Sequence, residues 1–259
     1  MSASFVVWSA VHPEATTPHE WSSMMGRNPA ESNEPRPTPG KTPPRVLITA
    51  GPTHEPLDAV RFLGNRSSGR LGIALAEASV DRGWHTTLLL GPTARTPTDH
   101  PLLTTLRFQS TSDLESLLGR SWPEHDLLLM AAAVADFRPR HALASEKISR
   151  SSTGLTLELE PTPDLLERLS RSNPGHGIRV GWALEPRNRL RESGRRKLEA
   201  KHVHAIVANP LETISNETIT PLLLHDDGRE DTPPGGGLLK QDFAEWLLDR
   251  LEPRLPGTA

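Results

Sequence analysis

The sequence contains no cysteine, which removes disulfides, thiolate nucleophiles and thiolate metal sites from consideration. It has no basic excess either: a net charge of -3 and a pI of about 6.4 provide no long-range attraction to nucleic acid. No apolar run approaches the roughly 18 residues that a membrane span needs. The N-terminus lacks the basic region and apolar core of a secretory signal. A cytoplasmic protein with neither a nucleic-acid nor a membrane partner is the resulting expectation. His202 and His204 alternate, but no acidic or histidine partner lies at a usable spacing, so the metal ligands stay unknown. The dinucleotide fingerprint G-x-G-x-x-G, the G-x-S-x-G elbow and the HExxH helix are all missing.

What is present divides into two parts. Residues 1–44 carry Pro13, Pro18, Pro29, Pro35, Pro37, Pro39, Pro43 and Pro44 among Ser, Thr, Glu and Asn. Proline removes backbone donors and blocks helix interiors, so this stretch predicts a disordered leader, or translation from an upstream start. A partner-binding segment anchored by Trp8 and Trp21 is the other reading. One domain is expected over 45–253, with a tail at 254–259.

From Arg45 onward the pattern alternates. VLITA reads as a buried strand, 69–82 as a helix stopped by Gly83, and 85–91 as a second strand. A third strand is expected at 106–110, then a short helix at 112–120 capped by Ser112 or Thr111. Further strands are expected at 125–137, 179–186 and 205–211, with a helix at 187–201 before the last. The result is an α/β fold: an open, mainly parallel, Rossmann-like sheet with helices on both faces. Ligands of such sheets lie beyond the strand C-termini. The apolar side of 238–251 (Phe243, Trp246, Leu247, Leu251) suits core packing, with a partner surface as the alternative.

Four constellations could carry chemistry. The loop 51–72 runs from a strand into a helix start at Ser67-Ser68-Gly69, a layout that binds phosphate or carboxylate. Within it, Asn65 both donates and accepts hydrogen bonds, and Arg61 can grip an anion bidentately. A plain surface loop with an Asx turn is equally open. The segment 130–137 (MAAAVADF) is small enough to admit a ring, and Asp136 could accept from ribose or base; tight packing with Asp136 as an N-cap competes. The stretch 145–150, with Glu146, Lys147 and Arg150, is either a phosphate-seeking arm or a solvated charge run. Lys197 and Lys201, spaced i, i+4, share one helix face. They could hold phosphates or merely complement the helix dipole.

Taken together, ITAGPTHEPLDAVRFLGNRSSGRLG, MAAAVADFRP, EKIS, TPDLL, VGWALEP and KLEAKHVHAIVAN resemble the phosphopantothenoylcysteine synthetase family of coenzyme A biosynthesis. The six segments are collinear with the family from about Arg45 to Leu251. The resemblance implies a stand-alone ligase, with any decarboxylase on a separate protein, and no flavin. It implies 4′-phosphopantothenate and L-cysteine as substrates, Mg²⁺, and CTP as co-substrate, with ATP as the alternative. It also implies a homodimer. On its motifs, Asn65 and Arg61 would hold an acyl-nucleotide, and Lys147 would bind nucleotide and help turn the intermediate over. Met130, Ala131, Ala132, Asp136, Thr162, Pro163, Asp164, Leu165 and Trp182 would contact the nucleotide, and Lys197 and Lys201 its phosphates. The chain departs from the family at Gly64, at Arg70-Leu71, at Trp182 with Pro186, and at Pro210; the changes near Trp182 bear on base choice. Two other classes compete: a nicotinamide- or flavin-binding oxidoreductase, and a nucleotide-binding subunit without catalysis.

Overall fold

The computed structural model describes residues 42–142, 145–150, 154–213 and 216–256. The leader expected at 1–44 lies outside the described residues except for its last three. Eight strands form the main sheet: β1 (Arg45–Ala50), β2 (His85–Leu90), β3 (Leu103–Arg107), β4 (Leu127–Met130), β5 (Ile178–Glu185), β6 (Ala205–Pro210), β7 (Leu222–His225) and β8 (Glu230–Asp231). Their order is β8-β7-β6-β5-β4-β1-β2-β3. Pairings from β3 through β6 are parallel, while β7 and β8 are antiparallel. The expected mainly parallel α/β sheet is therefore present. The order in which strands are added reverses between the parallel neighbours β1 and β4, which opens a crevice there.

Successive strand residues point to opposite faces, so each central strand feeds two cores. Val46, Ile48, Leu127, Leu129 and Val207 pack against α1 (Arg70–Asp81) and α5 (Lys240–Leu251). Leu47, Leu89, Leu128, Ile206 and Leu224 pack against α2 (Thr111–Ser121), α3 (Leu165–Ser172) and α4 (Leu190–Lys201). Phe243, Leu247 and Leu251 of α5 are fully buried, which settles its apolar side as core. Each contributes about 2 kcal/mol through the apolar surface it removes from water. The core extends to Leu255, beyond the expected domain end.

Three local expectations need correction. The third strand is β3, three residues earlier than expected, because the chain must turn after Phe108 to reach a helix cap. That cap is Ser110, whose side chain accepts from the Asp113 N–H while the Asp113 carboxylate accepts from the Ser110 N–H. The strand read over 125–137 ends at Met130; the small residues after it form a loop. Neither α3 nor the antiparallel pair β7–β8 was anticipated.

Candidate functional site

A cavity of about 550 Å³ opens at the C-terminal ends of β1, β4, β5 and β6. Four stretches line it, 65–72, 130–136, 162–166 and 182–184, joined by Lys197 and Lys201 of α4 and by Asn209, Thr213, Ile219 and Lys240. It straddles the sheet edge, so one side belongs to α1 and α5 and the other to α3 and α4.

The α1 side is shaped by glycine. Gly69 precedes the helix at φ 72°, a left-handed conformation. A Cβ at Gly72 would lie 2.3 Å from the Ala50 Cβ, so only glycine lets α1 start this close to β1. Neither a side-chain cap nor an acidic residue occupies the first turn of α1. Its free N–H groups, beside Arg66 and Arg70, leave positive potential at the cavity wall.

The floor is the loop 131–136, fixed by threonines on the β1 side. Thr49 Oγ1 accepts from the Ala132 N–H at 3.0 Å, and Thr53 Oγ1 accepts from the Ala135 N–H at 2.9 Å. Backbone bonds join Ala133 N to Gly51 O (2.9 Å) and Thr53 N to Ala133 O (3.2 Å). Behind them lies Glu55, 2% exposed, whose Oε1 accepts from the Thr111 hydroxyl at 2.6 Å and the Thr111 N–H at 2.8 Å. Thr53 and Thr111 meet at 3.4 Å. A chain of donors therefore runs from the floor to a buried carboxylate, which also accepts from the first N–H of α2. On the far side, the Thr162 hydroxyl donates to Ala135 O and the Thr162 N–H to Asp136 O.

Asn65 sits over this floor. Its amide donates to Val134 O at 2.9 Å and to Ala133 O at 3.3 Å. The Asx turn left open above is thus replaced by a tertiary contact. Asp136 is exposed in the loop and caps no helix; its carboxylate has no ion pair among the described residues. Lys197 reaches Glu185 and Lys201 reaches Asp164, each at 2.7 Å. Asp164 also caps α3 by accepting from the Glu167 N–H. Both lysines line the cavity. Trp182 lines the same cavity with its indole N–H buried and without a partner among the described residues.

Twelve of the fourteen residues singled out by sequence line the cavity: Asn65, Met130, Ala131, Ala132, Asp136, Thr162, Pro163, Asp164, Leu165, Trp182, Lys197 and Lys201. Arg61 and Lys147 do not. The Arg61 guanidinium binds the Asp58 carboxylate and donates to Ile148 O at 2.7 Å. Asp58 accepts in addition from the N–H groups of Val60, Arg61 and Ile148. Arg61 and those N–H groups hold its carboxyl well below the usual carboxylate range. Ala59 N–H donates to Glu146 O at 2.9 Å, so 146–148 is strapped to the motif loop with Lys147 exposed between the straps. Arg61 thus positions the Lys147 segment.

Arg66, Arg70, Asn209, Thr213 and Lys240 line the cavity without having been singled out. The signal for Asn209 was its place at a strand end, and for Lys240 its place at the head of the last amphipathic helix. Among the described residues no cluster of three or more His, Asp or Glu could hold a metal ion by itself. Among the described residues Asp136 is the cavity carboxylate without an ion pair, an oxygen donor of the kind that a hard cation such as Mg²⁺ takes. No described helix is long and apolar enough to cross a membrane.

The model of the DNA/pantothenate metabolism flavoprotein C-terminal domain matches residues 42–254. A prokaryotic protein named cysteine/cysteine sulfinic acid decarboxylase, of unknown organism, is 38% identical over 167 residues, 64% of this chain and 46% of that protein. The coenzyme A biosynthesis bifunctional protein CoaBC of Bacillus subtilis is 39% identical over 166 residues, 63% of this chain and 39% of that protein. The chain thus spans less than half the length of either relative. A crystal structure of the C-terminal domain of a CoaBC protein superimposes with a TM-score of 0.68 at 32% identity, covering 82% of this chain and 95% of that one.

Proposed function

The chain belongs to the family of DNA/pantothenate metabolism flavoprotein C-terminal domains, and on that premise we propose that it is a ligase of coenzyme A biosynthesis. In this reading it joins 4′-phosphopantothenate to L-cysteine, with CTP as the activating nucleotide and ATP as the alternative. The observation that carries it is the union, in one cavity at the sheet's crossover, of the Asn65 loop, the alanine floor with Asp136, and the lysine pair.

The reaction needs two displacements. A carboxylate oxygen of the acid attacks the α-phosphorus, and the bond to the departing pyrophosphate breaks. The amine of cysteine then attacks the acyl carbonyl; the tetrahedral intermediate collapses, the nucleoside monophosphate leaves, and the amine gives up a proton. The α1 N-terminus and the cavity cations would offset charge on the phosphates. Mg²⁺ entering with the nucleotide would add Lewis-acid polarisation of those oxygens, with Asp136 as its protein contact. Asn65 and the alanine floor would hold the acyl group where the amine can reach it, gaining rate from proximity. Lys147, on its strapped segment, would reach the intermediate from the rim. Trp182 would lie against the base.

The reading carries with it a cytoplasmic homodimer, testable by sedimentation, and a separate decarboxylase that consumes the product. The decisive assay incubates the protein with 4′-phosphopantothenate, cysteine, Mg²⁺ and CTP or ATP, and follows amide product and pyrophosphate together. Stoichiometric formation of both supports the ligase. Nucleotide binding without either product would mark a non-catalytic subunit, and NAD(P) or flavin affinity would mark an oxidoreductase.

A further inference from the structure

The cavity holds three lysines, and their circumstances differ. Lys197 and Lys201 are each tied to a carboxylate at 2.7 Å, so an entering phosphate must compete with Glu185 and Asp164 for them. Lys240 faces the cavity from the opposite wall, as the first residue of α5. Among the described residues it has no carboxylate within ion-pair distance. Its charged neighbours are Arg70, which repels it, and Glu217, which attracts it from a largely exposed position. Burial and Arg70 both push the Lys240 ammonium below its ordinary pKa, a sign that its charge is poorly compensated.

Arg70 adds to the imbalance. It occupies the first turn of α1, where a cation opposes the helix dipole, and its contact to Glu217 is loose at 3.5 Å. Two cations at two helix starts therefore face one cavity, and the carboxylate near both of them, Glu217, is largely exposed. A second, independent feature points into the same cavity. Asn209, 6% exposed at the end of β6, lines it with a buried Oδ1 that has no hydrogen-bond partner among the described residues. Burying such a group without a partner costs about 1–3 kcal/mol, which a bound ligand would relieve.

We propose that Lys240 and Arg70 form the first cation site for the polyphosphate of the nucleotide, with Asn209 supplying a polar contact to the same ligand. This rests on the reading of the cavity as a nucleotide-dependent ligase site. The lysine pair of α4 then takes its share of the charge only after its carboxylate bridges open. The C-terminal helix, which presents no recognisable motif, thereby becomes part of the binding site.

The test is calorimetric titration of CTP, ATP, inorganic tripolyphosphate and cytidine into the wild-type protein and into Lys240→Met and Lys240→Arg. Lys240→Met should weaken both CTP and tripolyphosphate about tenfold, as expected for loss of a charge-assisted contact, and leave cytidine unchanged. Lys240→Arg should recover most of the affinity, and a thermal unfolding curve matching wild type excludes a folding defect. Tripolyphosphate binding Lys240→Met as tightly as wild type would overturn the proposal while leaving the ligase reading intact. A wild-type protein that binds neither CTP nor ATP would remove the ligase reading and this proposal together.

Discussion

The loop between β1 and α1 has two halves of opposite character. From Gly51 to Asp58 nearly every residue is buried or partly buried, and Thr53, Glu55 and Asp58 find all their described partners within the protein. From Ala59 to Arg66 the chain is mostly exposed; Val60 is 65% and Phe62 50% accessible, and Asn65 leans over the cavity floor. One half is a scaffold whose polar groups are spent on holding other loops. The other half presents groups outward, to the cavity at Asn65 and to the strapped Lys147 segment at Arg61. A single motif thus encodes both the support of a site and its working surface, and the two should respond differently to substitution.

The largest effect is expected in the working half. Asn65→Asp replaces an amide that donates to two carbonyls with a carboxylate that repels them and any phosphate nearby. Ligation should fall by about 100-fold, the scale for losing a well-placed donor in a catalytic site. The unfolding temperature should stay near wild type. Full activity in this variant would remove Asn65 from the account. Lys147→Gln, in an exposed position, should slow the cysteine step by about tenfold, the scale of losing one charged hydrogen bond. Quenched-flow detection should then show the acyl-nucleotide accumulating; normal turnover would contradict the role given to Lys147.

In the scaffold half the effect should appear first as stability. Glu55→Leu leaves the Thr111 N–H and hydroxyl without their acceptor in the interior, at about 1–3 kcal/mol for each buried group. Glu55→Gln keeps an acceptor and should lose far less. Denaturant unfolding that ranks the two variants equally would show that the carboxylate chain does not hold the floor. The smallest effect concerns the strap. Because the Asp58 carboxyl is held below its ordinary value of 3.8, its contribution is complete above that pH and is lost as the pH falls below it. The difference in unfolding temperature between wild type and Asp58→Asn should be constant above about pH 5 and shrink below about pH 4. A difference that persists in acid would contradict the strap.

Much of this was legible from the residues. Short apolar runs between turn signals located β1, β2, β5 and β6, because central parallel strands must be apolar on both faces. β3 slipped because capping by Ser110 outweighed the apolar pair Leu106 and Phe108, a competition that local pattern does not display. Helix α3 escaped because its TPDLL start reads as a loop until Asp164 is seen to cap it. The cavity residues drawn from the five contiguous motifs were found readily. Asn209 and Lys240 were not, since a place at a strand end or at the head of an amphipathic helix is a weak signal until the sheet order brings both to the same crevice. Arg61 was expected to grip an anion, and the carboxylate its guanidinium binds in the structure is that of Asp58, with Ile148 O beside it.

The central claim is that this cavity activates an acid with a nucleotide before any amine is needed. Rapid-quench measurement of pyrophosphate after mixing the protein with 4′-phosphopantothenate, Mg²⁺ and CTP or ATP, without cysteine, tests it directly. The account predicts a burst approaching one pyrophosphate per site with one of the two nucleotides, CTP first, dependent on the acid and followed by slow release. No burst with either nucleotide, or a burst that ignores the acid, would contradict it.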